Sequence, residues 1–164
     1  MYEVTKTLGN DRGYSCVFRN HRADHSHCSW PHGYSLGFEF KYRSPTLDEK
    51  LWCYDFGNLK PIKKYLDDGF DHVWLIAQDD PDKFDFMALC EKESKTTHKG
   101  VLGNYRMVDG IGCESFAKQV YDFSKDLLRM QKLGHDTRYP VHADTTLHSV
   151  KVFEHQGNAA TYYG

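Results

Sequence analysis

The feature that most constrains this chain is a stretch in which bulky and polar side chains alternate without a break. Tyr34, Leu36, Phe38, Phe40 and Tyr42 are interleaved with Ser35, Gly37, Glu39, Lys41 and Arg43. Successive side chains of a strand point to opposite faces, so this period of two predicts a β-strand with one aromatic face turned inward and one polar face turned outward. A half-buried sheet is the starting point for everything else.

Other segments supply partners. Val4 to Leu8 and Tyr14 to Phe18 flank Gly9-Asn10-Asp11-Arg12-Gly13 and read as a hairpin. Leu51 to Phe56 reads as a further strand, and His148 to Glu154 as the last one, with Val150 and Val152 on one face. Leu59, Ile62 and Leu66 fall on one side of a helix that Asp55 or Asn58 can cap and that ends near Gly69. Asp79 and Asp80 suit the N-cap of a short helix beginning at Pro81. The strongest helix runs from about Glu114 to Lys132, where Phe116, Val120, Phe123 and Leu127 recur at helical spacing. Between Gln78 and Gly112 the chain is polar and, beyond the short helix, poorly periodic; its Ser94–Gly100 run reads as an exposed loop. Strands with two main helices and no regular βαβ alternation indicate an α+β fold with an antiparallel sheet.

At 164 residues the chain is expected to be a single domain, 1–164. Hydrophobic residues at 40% and aromatics at 15% supply a core and exclude a disordered chain. Twenty-one basic against 23 acidic residues leave a formal charge of −2, without the basic surplus that a nucleic-acid partner favours. No apolar run approaches the roughly 20 residues that span a bilayer, so no membrane partner is expected. The first residues lack an apolar signal core, and the expected location is the cytoplasm. Five widely spaced cysteines, Cys16, Cys28, Cys53, Cys90 and Cys113, do not make a disulfide framework.

Histidine is the commonest metal ligand, and His21, His25, His27 and His32 lie close together in sequence. His32 and position 34 point to one face of a strand, so a metal site here would draw on His21, His32 and a group at or near 34. Cys28, four residues before His32, is placed to serve as a thiolate base. Asp71-His72 is a possible acid–base pair. Glu154, at the end of a strand, could accept two parallel hydrogen bonds from a planar donor edge.

Taken in order, these pieces resemble the 6-pyruvoyltetrahydropterin synthase family, which includes the 6-carboxytetrahydropterin synthases of queuosine biosynthesis. The resemblance is carried by Phe18-Arg19-Asn20-His21-Arg22, by Cys28 to Phe40, by Tyr54-Asp55-Phe56-Gly57-Asn58-Leu59-Lys60, by Phe70-Asp71-His72 through Leu75, and by Glu114 to Lys118 with Val150 to Glu154. The stretch 78–112 looks like an insertion. The resemblance implies the tunnelling fold, a four-stranded antiparallel sheet with two helices on one face, assembled as an oligomeric barrel. It implies a homohexamer with sites between subunits and a Zn2+-dependent lyase acting on 7,8-dihydroneopterin triphosphate.

By position, the resemblance makes His21, His32 and Tyr34 the metal positions, Cys28 the proton-abstracting thiolate, and Asp71 and His72 the acid–base set from a neighbouring subunit. Glu154 would anchor the pterin ring, with Cys113 and Glu114 beside it. Tyr34 stands where the family has the second histidine of His-Gly-His, which leaves Tyr34, His25 and His27 as alternatives for the third ligand. Ile111-Gly112-Cys113 likewise replaces a Pro-Thr-like turn. The implied product is 6-carboxy-5,6,7,8-tetrahydropterin. The alternatives are the 6-pyruvoyl product, a relative of the same fold with a changed substrate, and a non-catalytic pterin-binding protein.

Overall fold

The computed structural model describes residues 1–9, 11, 13–135, 138–155 and 157–164. In chain order the elements are β1 (Tyr2–Leu8), β2 (Tyr14–Phe18), β3 (His32–Ser44), α1 (Lys60–Phe70), β4 (Val73–Ala77), α2 (Lys83–Glu91), β5 (Asn104–Val108), α3 (Cys113–Lys132), β6 (Thr146–His155) and β7 (Asn158–Tyr163). The strands form one sheet in the order β5-β4-β2-β3-β6-β7, with β1 also on β3.

The alternating stretch is the centre of this sheet. Leu36, Phe38, Phe40 and Tyr42 are wholly buried, and the intervening Glu39, Lys41 and Arg43 are half-exposed on the other face. The expected hairpin of the first two segments does not form. Both run antiparallel to β3 on its same side, β1 along Phe38–Ser44 and β2 along His32–Leu36. Together they act as one long strand interrupted between Leu8 and Tyr14. Gly13 N–H donates to the Gly9 carbonyl (2.8 Å) to close the interruption. Gly13 has φ +70°, and a Cβ there would lie 1.8 Å from Ser35 Oγ, so glycine is required on both counts. Asn10 and Arg12 of the expected turn lie outside the described residues.

With β1 and β2 counted as one interrupted strand, the antiparallel part is the expected four-stranded sheet: β1/β2, β3, β6 and β7. The expectation has to be extended at one edge. β4 joins β2 in parallel and β5 joins β4 in parallel, so the whole sheet is mixed. β7 adds a hairpin strand beyond the expected end of β6 at Glu154.

Leu51 to Phe56 is not a strand. Asp48 Oδ1 accepts from Lys50 N–H (2.9 Å) and Trp52 N–H (2.8 Å), and Asp55 Oδ1 accepts from Gly57 N–H (2.8 Å). Aspartate side chains thus take the backbone donors that a ladder would need. Asp55 caps a 3-10 turn, Phe56–Leu59, that leads directly into α1.

Two helices cover one face, as expected. α1 buries Ile62, Leu66 and Phe70, and α3 buries Phe116, Ala117, Val120, Leu127 and Leu128 along one stripe. Glu114 in the first turn of α3 and Arg129 and Lys132 in its last suit the helix dipole. Aromatic rings meet in series across the core: Tyr14 on Phe38 (5.5 Å), Phe38 on Phe70 (5.1 Å), Phe70 on Phe116 (5.5 Å) and Phe116 on Phe18 (5.3 Å). All four are edge-on contacts, the geometry the ring quadrupoles favour.

The short helix starts at Lys83 rather than Pro81; the Asp80 carboxylate accepts from Asp82 N–H (2.9 Å) and from Arg19 in the turn that precedes it. It lies on the opposite face of β4, where Phe86 stacks on Trp74 (5.1 Å). The 78–112 stretch is therefore α2 and β5 with connecting loops, more ordered than its composition suggests. Among the described residues, no helix is long and apolar enough to cross a membrane. Phe116 joins β2, α1 and α3, so Phe116→Ala should destabilise the fold by about 3–5 kcal/mol. Urea denaturation followed by tryptophan fluorescence measures it, and a loss under about 1 kcal/mol would remove Phe116 from this role.

Candidate active site

The helix-facing side of β3 changes character towards its first residues. Beyond Leu36 the inward positions are Tyr34 and His32, whose β2 neighbours in register are Cys16 and Phe18. The Tyr34 and Phe18 rings stack face to face, 3.6 Å apart and within 5° of parallel. The His32 ring lies 4.4 Å from Tyr34, and the His27 ring 6.2 Å from His32. From β6, Glu154 reaches the same region, and its charge acts on the Cys113 thiol at the start of α3.

Burial and negative neighbours set the chemistry of this region. Burial first, then Glu154 and Glu114, pushes the Cys113 thiol up to about 12. Burial, then Cys113, Asp71 and Glu154, does the same for Cys16, also to about 12. The Tyr34 phenol is held well above its ordinary value, first by burial and then by Glu154, Cys28, Cys113 and Cys16. These are protonated donors in neutral water. Cys28 is half-buried in a tight turn; its N–H donates to Ser26 Oγ (3.0 Å) and its carbonyl accepts from Asn20 N–H (2.8 Å). All five cysteines are free thiols.

Cys28, His32, Tyr34, Cys113 and Glu154 thus share one neighbourhood. The sequence reading passes over Cys16 and Phe18, whose place depends on the β2–β3 register. Glu114 is exposed in the first turn of α3.

Asp71 and His72 form a pair elsewhere, where β4 begins. His72 Nδ1 is 3.0 Å from Asp71 Oδ1. Ser15 N–H donates to the same oxygen (3.2 Å), and His72 N–H donates to the Ser15 carbonyl (2.6 Å). The carboxylate is sheltered and the imidazole, 80% exposed, projects outward at φ +54°. A carboxylate fixed in this way orients the ring.

His21 is turned to a different set of partners. Its Nδ1 lies 3.9 Å from Asp80 and its Nε2 3.8 Å from Asp79. Arg19 binds Asp80 through Nε (2.9 Å) and Nη2 (2.6 Å) and also reaches Asp82 (2.6 Å), while Arg22 pairs with Asp79. Burial alone would raise the Asp80 carboxyl, but the Arg19 hydrogen bonds and the Asp82 N–H outweigh it and leave Asp80 below the ordinary carboxylate range. His25 is on the surface, 3.9 Å from Asp24.

A zinc ion on His21, His32 and Tyr34 does not fit this arrangement. His32 is suited to a metal: its Nδ1 is 2.9 Å from the Trp30 carbonyl, which can only accept, so Nε2 carries the lone pair. Tyr34 would have to lose its proton beside Glu154 while stacked on Phe18. Both ring nitrogens of His21 face carboxylates. Among the described residues, no three His, Cys, Asp or Glu side chains converge on a point that could hold a metal ion.

Two measurements check this site. Iodoacetamide at about pH 8 should label Cys28 in the folded protein, with Cys16 and Cys113 reacting only on unfolding; equal labelling of all three in native protein would contradict the burial described. Arg19→Ala leaves the Asp80 carboxylate, 3% exposed, without its main partner, and should cost about 2–3 kcal/mol at neutral pH. The lowered carboxyl stabilises the fold above the unfolded value, about 3.9, and that contribution is lost as pH falls through the folded value. Wild type should therefore resist acid unfolding better than the variant, and coincident pH titrations by circular dichroism would refute the pairing.

The chain is similar to several known proteins. A family model described as 6-pyruvoyl tetrahydropterin synthase matches residues 11–164. Over 81 residues the chain is 27% identical to the 6-carboxy-5,6,7,8-tetrahydropterin synthase of Rickettsia felis, a match covering 49% of this chain and 55% of that protein. The enzyme of the same name from Rickettsia conorii matches to the same extent, so the chain spans about half the length of these curated relatives. An uncharacterized protein from Wolinella succinogenes superimposes with a TM-score of 0.73 at 19% identity, covering 99% of this chain and 97% of that one. The 6-pyruvoyl tetrahydropterin synthase of Plasmodium falciparum gives 0.62 at 12%, with 99% and 97% covered. That of Caenorhabditis elegans gives 0.56 at 18%, with 100% and 97% covered. At these identities the structures speak for the fold, which is the tunnelling fold. The family match reaches from the interrupted first strand through β7, and on it the chain belongs to the 6-pyruvoyl tetrahydropterin synthase family.

Proposed function

We propose that this chain is a lyase that takes 7,8-dihydroneopterin triphosphate and water to 6-carboxy-5,6,7,8-tetrahydropterin, with the triphosphate leaving as inorganic triphosphate and the two outer side-chain carbons as acetaldehyde. The observation that carries the reading is the convergence of Glu154, the protonated Cys113 thiol and the Phe18–Tyr34 stack near Cys28. A carboxylate beside an aromatic platform suits a flat heterocycle with an amino and N3–H edge, which can give Glu154 two parallel hydrogen bonds. The named activity of the Rickettsia relatives supports the same choice.

In this reading Glu154 holds the ring, and Cys28, as thiolate, takes a proton from the substrate's side chain. Asp71 orients His72, whose exposed imidazole returns or relays a proton. The pair begins β4 and faces outward, so it serves a pocket completed by a neighbouring protomer, as in the homohexamer that the resemblance implies. Zinc, if bound, would polarise the substrate's hydroxyls. The His21, His32 and Tyr34 set does not fit it, and none of these steps runs through it. A changed substrate is the second reading, favoured by Tyr34 and by the carboxylates that the 78–112 stretch brings to His21.

Incubation with dihydroneopterin triphosphate, read by mass spectrometry, tests the reading. Wild type should yield the 6-carboxy product, and Cys28→Ala should slow its formation by at least about 100-fold with the oligomeric state unchanged. Unchanged substrate, or turnover indifferent to both Cys28→Ala and Glu154→Gln, would overturn it.

A further inference from the structure

We propose that Tyr34 occupies, with a phenol O–H, the position of a third metal ligand, and that this chain holds its substrate's side chain by a hydrogen bond from that hydroxyl instead of by a resident zinc. The inference rests on the pterin reading above. Two separate arrangements lead to it.

The first is the seat of Tyr34. Its ring lies flat on Phe18 at 3.6 Å, with the His32 ring 4.4 Å away on the same strand face. Phe18 is itself buried and braced edge-on by Phe116. A ring clamped in this way has its hydroxyl direction fixed by packing. Cys28, Cys16, Cys113 and Glu154 all lie near enough to act on the phenol electrostatically. The hydroxyl therefore belongs to the same pocket as the ring anchor and the base, where a bound pterin's side chain would lie. A phenol is a competent donor to a hydroxyl or ketone oxygen there.

The second is the use made of His21. Asp79 and Asp80 approach its two nitrogens from opposite sides, and both carboxylates are tied down by arginines of the same segment, Arg19 and Arg22. They are delivered by the chain between β4 and α2, the start of the 78–112 stretch. The 78–112 stretch and the tyrosine thus act on two of the three positions: the tyrosine brings a protonated phenol, and the carboxylates stand 3.8–3.9 Å from His21, outside hydrogen-bond distance, so that its buried Nδ1 has no hydrogen-bond partner. His32 alone keeps a ligand-like orientation, and one histidine does not hold zinc tightly.

The test uses the full chain and two readouts that do not depend on turnover. Protein equilibrated with zinc and passed through gel filtration should retain it substoichiometrically, and Tyr34→His should raise the retained zinc by about an order of magnitude. Equilibrium dialysis with neopterin, which has a hydroxylated side chain, and with unsubstituted pterin completes it. Tyr34→Phe preserves the stack on Phe18 and should weaken neopterin binding by about tenfold while leaving pterin binding unchanged. Stoichiometric zinc in wild type that His32→Ala sheds would overturn the loss of the metal. Equal neopterin affinity in wild type and Tyr34→Phe would overturn the donor role. Wild type that binds neither pterin would overturn the pterin reading, and the donor role with it, whatever the zinc result.

Discussion

The rest of the molecule depends on the edge-on chain of rings that runs from Tyr14 through Phe38, Phe70 and Phe116 to Phe18. It links β2, β3, α1 and α3, and its last member is the surface on which Tyr34 lies. Each such contact adds about 0.5–1.5 kcal/mol to the burial of the rings themselves. Their directional preference matters as much as their energy, because it fixes the tilt of Phe18 and so of the tyrosine stacked on it. The pocket is therefore an extension of the core rather than a loop structure laid over it.

A second link is ionic. Arg19 follows β2 directly, and its grip on Asp80 pins the chain leaving β4 to the chain entering the histidine-rich turn. Arg19 also lies over the Phe86 ring at 4.7 Å, which ties α2 into the same joint. Behind it, Arg106 of β5 lies against Tyr65 and Phe70 and donates to the Tyr65 hydroxyl (2.6 Å). That approach is possible because residue 69 is glycine: a Cβ there would meet Arg106 Nη1 at 2.0 Å. The 78–112 stretch is thus held at both ends by arginines packed on aromatic rings.

Much of the architecture was legible where one face of an element is buried. β3 and α3 announce themselves through periods of two and 3.6 because each meets the core along one side. Leu51 to Phe56 misled for a local reason: its apolar residues fit a strand, but Asp48 and Asp55 capture the backbone donors. β1 and β2 were recognised as strands and mispaired, since the short segment between them resembles a turn and only tertiary packing sets both against β3. β5 was missed because a parallel edge strand of five residues pairs with a distant segment and carries no local signal. At the site, residue types alone singled out Cys28, His32 and Glu154. The stack of Tyr34 on Phe18 and the carboxylates at His21 depend on register and on the course of the 78–112 stretch, neither of which a spacing rule contains.

The interruption between β1 and β2 divides the labour of β3. One side of that long strand is shared between two neighbours, β1 along Phe38–Ser44 and β2 along His32–Leu36. The half paired with β2 carries the chemistry and continues outward through β4 and β5. The half paired with β1 ends the sheet after a single strand and is held by ion pairs from Glu3 to Lys41 and Arg43 on the polar face. A substitution confined to β1 therefore meets β3 at Phe38–Ser44 and leaves untouched the ladder that sets Tyr34 and His32 against β2.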